Sequence, residues 1–277
     1  MTVAVAWVKQ CGSSKQLLIA SDSRICGGLR WDQCPKIITL PRSDCAICFA
    51  GRTEYAYPMM MQIFFAMGSH APIVDRAMDI CDVNGYALKH VNQLYSAIYD
   101  VADPESIEEN EFIFAGYSWR KKDFMIWRYF FDKINKKFIT FTSSMKLRNK
   151  EFDKIIYAGD IKKELKMELY SILEDKYGKD FSKYNNCGFD MEPMQALINL
   201  LKKTTRNDTI GGAPQLVKIF PFMQCRPIGI YWPHRDDNKF KNNRTLLGRK
   251  LPDFENSDHW FMDPDTLVTH KGFVNLD

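Results

Sequence analysis

Thr2 is the residue whose type and position could do the most chemistry in this sequence. A threonine in second place is small enough for Met1 to be removed, which makes Thr2 the expected amino terminus. An amino-terminal threonine carries a nucleophilic hydroxyl and a base, its own α-amine, in one residue. The amine titrates near about pH 8, so a useful fraction is neutral at physiological pH. Three further groups complete such a site. An ammonium lowers the pKa of the amine and hydroxyl through its charge, and a carboxylate holds that ammonium in place. A backbone N–H must also face the oxyanion that forms during attack. Asp22, Lys36 and Gly51 offer these groups, each at the end of an apolar segment near the start of the chain.

Those segments must position them. Residues 3–8 are apolar throughout, which predicts a strand buried on both faces. Gly12-Ser13-Ser14 predicts a turn and residues 16–20 a second strand, so the chain opens as a hairpin. Residues 36–40 and 45–50 predict a second strand pair. Helices are expected over 54–67, starting late or bending at Pro58, and over 75–100. Strands return at 111–118, 123–131, 137–142 and 154–158. Ile161, Leu165, Leu169 and Leu173 recur every four residues as one helical stripe, and a further helix is predicted over 192–205. Strands over 215–220 and 228–232 end the series. Strands and helices come in blocks, which predicts an α+β domain over 1–232 with two sheets between helical layers. Residues 233–277 are polar and turn-rich, and read as a C-terminal extension with little regular structure.

The order Thr2, Asp22-Ser23-Arg24, Gly28, Lys36 and Ala50-Gly51 resembles the proteasome β-subunits and the related bacterial HslV-like peptidases. Thr209-Ile210-Gly211-Gly212 is similar to the Gly-Gly turn of that family. The resemblance implies the four-layer αββα sandwich of N-terminal nucleophile (Ntn) hydrolases and a threonine-type endopeptidase. It implies Thr2 as nucleophile, Lys36 and Asp22 as its charged partners, and the Gly51 N–H as oxyanion donor, with Arg24, Asn207 and Asp208 in support. It further implies a peptide or protein substrate, a homo-oligomer such as a ring, an ATP-dependent unfoldase as partner, and no cofactor. The sequence departs from the family in two places. Tyr157-Ala158-Gly159-Asp160 lacks the serine usual there, and Ile210 stands where a second serine is usual. A catalytically inactive structural or assembly subunit is therefore the alternative expectation, and a small-molecule amidase a third.

Composition narrows the classes. The chain has 277 residues, 45% hydrophobic and 13% aromatic, which suits a large packed core and not a disordered chain. A net charge of +4 is too mild for a nucleic-acid-binding signature. The lysines between 146 and 166 interleave with Glu151, Asp153, Asp160 and Glu164, which predicts a solvated helix face. No run of about 18 apolar residues predicts a membrane span, and no targeting segment is visible, so a cytoplasmic location is expected. The eight cysteines are expected to be reduced thiols. Cys45 and Cys48 have a C-x-x-C spacing, but their apolar context predicts a buried strand over a metal or redox site. Five histidines show no metal-ligand spacing, and no phosphate- or dinucleotide-binding fingerprint occurs.

Overall fold

The computed structural model describes all residues except 1, 28, 100–104, 143, 148–149, 179–187, 223, 236–242, 253, 256 and 272–277. Met1, Gly28 and Cys187 lie outside the described residues. The chain opens with β1 (Val3–Cys11) and β2 (Ser14–Ser21), a hairpin, followed by the short pair β3 (Ile25–Cys26) and β4 (Arg30–Trp31). Then come β5 (Ile37–Thr39), β6 (Cys45–Ala50), α1 (Thr53–Gly68), α2 (Ala71–Val74), α3 (Ile80–Ser96) and α4 (Glu105–Glu108). The middle of the chain gives β7 (Glu111–Ser118), β8 (Asp123–Asp132), β9 (Lys137–Phe141), β10 (Ser144–Leu147), β11 (Lys150–Gly159), α5 (Lys162–Tyr177) and α6 (Glu192–Lys202). It closes with β12 (Gln215–Phe220), β13 (Gln224–Tyr231), β14 (Arg244–Leu246), β15 (Arg249–Lys250), β16 (Trp260–Met262) and β17 (Thr269–Lys271).

Helices and mostly antiparallel sheets are mixed, as an α+β fold requires. One sheet runs in the order β10-β11-β1-β2-β12-β13-β14-β15, with β16 and β17 attached to β13; the other runs β5-β6-β7-β8-β9. The period-two geometry of a strand explains why the opening segment is apolar throughout. Val3, Val5 and Trp7 of β1 pack with Leu165, Leu169 and Leu173 of α5 and with α6, whereas Ala4, Ala6 and Val8 face the second sheet. The second sheet divides its residues in the same way. Cys45, Ile47 and Phe49 of β6 pack on α1 and α3, and Ala46, Cys48 and Ala50 face the first sheet. Small side chains at these inner positions let the sheets approach closely. Cys45 and Cys48 therefore project from opposite faces of one strand, and the C-x-x-C spacing brings no two thiols together.

Several expectations need correction. The helix over 54–67 does not start late; α1 begins at Thr53 and carries Pro58 inside it, without the hydrogen bond that proline cannot donate. The expected helix over 75–100 is realised only as α3, which begins at Ile80; residues 75–79 join it to the short α2, and the Asp79 side chain caps α3 by accepting from the Cys81 N–H. Lysines 146–154 lie on or beside β10 and β11; helix begins only at Lys162.

The extension is not irregular. β14 pairs antiparallel and β16 pairs parallel with β13, so β14 to β17 enlarge the first sheet. Phe261 packs on Gly229, where any Cβ would collide with its ring. The β14–β15 turn reaches back to the start of the chain. A Cβ on Gly248 would collide with Ser23, and the Lys250 N–H donates to the Gln33 side chain at 3.2 Å.

Candidate active site

Thr2 immediately precedes β1 and is buried. Its hydroxyl accepts a hydrogen bond from Lys36 Nζ at 3.2 Å, and the same ammonium donates to Asp22 Oδ1 at 2.8 Å. The Lys36 and Asp22 side chains are both 0% exposed, so their charges are desolvated and depend on each other. Asp22 is fully engaged. Its Oδ1 also accepts from the Val3 N–H at 3.3 Å, and its Oδ2 accepts from the Arg24 and Gly211 N–H groups, each at 3.2 Å. The carboxylate thus ties together the start of β1, the end of β2 and the turn before β12.

Two side chains that sequence reasoning missed fix this arrangement. Gln215, at the first position of β12 and 0% exposed, accepts from the Lys36 N–H at 2.9 Å and donates to the carbonyls of Asp22 and Cys34 at 3.1 and 2.8 Å. It locks the lysine loop to the aspartate loop. Ser21 donates from its hydroxyl to the Val3 carbonyl at 3.0 Å and holds the start of β1. A polar residue opening a mostly apolar strand was the available signal for Gln215; nothing in sequence distinguishes Ser21.

Gly51 follows β6 at φ +133°, where a Cβ would collide with Asn110, so both conformation and space require glycine. Its N–H has no acceptor among the described residues. Gly159, at φ +97°, is a second obligatory glycine. A Cβ there would collide with the Thr2 carbonyl oxygen and lie 3.2 Å from the Ala50 Cβ. The ends of β1, β6 and β11 therefore converge, and Gly51 is one residue beyond that meeting point.

The side chains of the remaining candidates fall outside this cluster. Arg24 binds Asp32 through two nitrogens, at 2.6 and 2.8 Å, and donates to the carbonyls of Thr205, Asp208 and Ile210. It clamps the turn before β12 and does not touch Thr2 or Lys36. Asp208 is exposed and accepts from the Thr205 N–H and hydroxyl, closing its own turn. Asn207 is likewise exposed, its carbonyl accepting from Arg30.

Burial holds the thiols near the site neutral. Cys48 lies near Lys36 and Asp22, but burial pushes its thiol up to about 12, and burial also raises Cys34. Both thiols are neutral at pH 7. No group of three His, Cys, Asp or Glu side chains among the described residues could hold a metal. No described helix is long and apolar enough to cross a membrane. No protein-family model matches the chain, and no curated protein matches it.

Proposed function

We propose that the chain is an amide-bond hydrolase of the Ntn type, a divergent relative of the proteasome β-subunits and HslV-like peptidases, with Thr2 as nucleophile once the Met1–Thr2 bond is cleaved. The observation that carries this reading is the Lys36 ammonium, which donates to both the Thr2 hydroxyl and the Asp22 carboxylate inside the protein. A structural lysine needs only the carboxylate. One shared with a threonine hydroxyl favours the alkoxide and, by its charge, keeps a neighbouring amine neutral.

In this mechanism Thr2 Oγ1 attacks the carbonyl carbon and its proton passes to the freed α-amine. The carbonyl oxygen becomes an oxyanion, and the Gly51 N–H, which has no acceptor among the described residues, donates to it. Collapse of the tetrahedral intermediate breaks the C–N bond, and the protonated amine of Thr2 gives its proton to the leaving amine. A water molecule, deprotonated by the same α-amine, then cleaves the ester and restores Thr2.

Asn207 and Asp208, turned to solvent, favour a second reading, a non-catalytic scaffold of the same fold. Release of amines from a peptide library and a small-amide panel separates the two. The hydrolase reading predicts that Thr2→Ala lowers the rate about a thousandfold or more. Equal activity of Thr2→Ala and wild type contradicts it.

A further inference from the structure

Around Glu111, which binds the Gly159 N–H, lies a basic corner that the hydrolytic machinery does not use. Arg128 of β8 stands opposite Ile113 and Phe141 in register, on the sheet face that looks toward β11. Its guanidinium lies over the rings of Phe130 and Phe141, with centroids at 5.0 and 5.7 Å, and its Nε is buried without a hydrogen-bond partner. α5 brings two more cations to this corner. Lys162 donates to Glu111 Oε1 at 2.9 Å, and Lys166, one turn later, lies over the Tyr157 ring at 5.1 Å. The Tyr157 hydroxyl is a second buried polar atom without a partner.

Glu111 ties this corner to the nucleophile. Its Oε2 accepts from the N–H of Gly159, the residue that abuts Thr2. The carboxylate is thereby spent on Gly159 and Lys162. Burial, and then the charges of Arg128 and Lys162, lower the pKa of Lys166, so the cations sense one another. Among the described residues β11 beyond Lys154 pairs with β1 alone, which leaves its other edge open. Contact with two rings restricts the orientation of a guanidinium, and its N–H fork matches a planar carboxylate.

We propose that Arg128, Lys162 and Lys166 form a carboxylate-binding subsite beside Thr2, so that the preferred substrate carries a carboxylate close to the scissile amide. The carboxylate comes from an acidic side chain or a free C-terminus. The substrate preference rests on the hydrolase reading above; the anion site does not.

Two β-lactones identical except for a carboxylate or its methyl ester test it, with Thr2 labelling followed by mass. The acid labels faster, by about tenfold or more, and Arg128→Gln or the solvent-exposed Lys166→Gln brings the ratio towards one. Equal rates in the wild type, or an unchanged ratio in both variants, overturn the subsite. Glutarate read against acetylation of Lys166 by acetic anhydride supplies an arm independent of hydrolysis. Protection of Lys166 supports the anion site even if neither lactone labels Thr2, in which case the hydrolase reading alone fails; no protection overturns the site. Peptides ending in Glu or Gln, each with a free or amidated C-terminus, tell which carboxylate is read.

Discussion

Asp22 and Asp208 are both acidic residues of polar turns beside the first sheet, and their surroundings make them opposites. Asp22 is 0% exposed and receives three backbone N–H groups and one ammonium, so its charge has a single mobile partner, Lys36. Asp208 is exposed and folds back on Thr205, so its charge is spent within four residues of chain and in water. A carboxylate serves a site when the fold supplies most of its hydrogen bonds and leaves one for a functional group. The side of the site around Asp22 meets that condition, and the turn around Asp208 does not.

Four experiments break or sharpen the contrast. Asp22→Ala strands the Lys36 ammonium in the core and costs about 3–5 kcal/mol in denaturant unfolding, part of which Lys36→Met returns. A cost below about 1 kcal/mol means that the pair is not buried in solution. Gly51→Ala, which forces a side chain into φ +133° against Asn110, costs about 1–3 kcal/mol and abolishes Thr2 labelling. Wild-type stability with normal labelling removes Gly51 from the site.

The third experiment is a pH series. The Arg24 hydrogen bond holds the Asp32 carboxyl below its ordinary range. Between the folded and unfolded pKa values the unfolded chain binds more protons. The stabilisation is therefore present above about pH 4 and lost as pH falls through the folded value. Its size is below about 1 kcal/mol because Asp32 is 45% exposed. Asp32→Asn flattens the stability profile below about pH 4, and an unchanged profile refutes the assignment. The smallest effect belongs to Asp208→Ala, which leaves the hydrolysis rate within about twofold. A large loss there makes the exposed turn part of the site.

Long apolar or periodic segments were legible in the sequence. Residues 3–8, 45–50 and the Leu165, Leu169, Leu173 stripe could only be buried, and they are. The meeting of Thr2, Asp22 and Lys36 was legible through residue types at strand ends, since the β1–β2 hairpin brings Asp22 back to the start of β1. The roles expected of Asn207 and Asp208 did not follow, because their spacing says nothing about which way a four-residue turn faces. The strands of the extension were hidden for another reason. Each is two or three residues long, too short for a period; β14 and β16 pair with β13, and β15 and β17 pair in turn with β14 and β16. Gln215 joins two loops about 180 residues away in sequence, a relation that only the fold creates.

The most direct test of the account is the intact mass of the purified protein before and after a threonine-directed β-lactone. The account predicts a mass short of Met1, then a single adduct localised to Thr2. Retention of Met1, or a free Thr2 that does not react, contradicts it and leaves the non-catalytic scaffold.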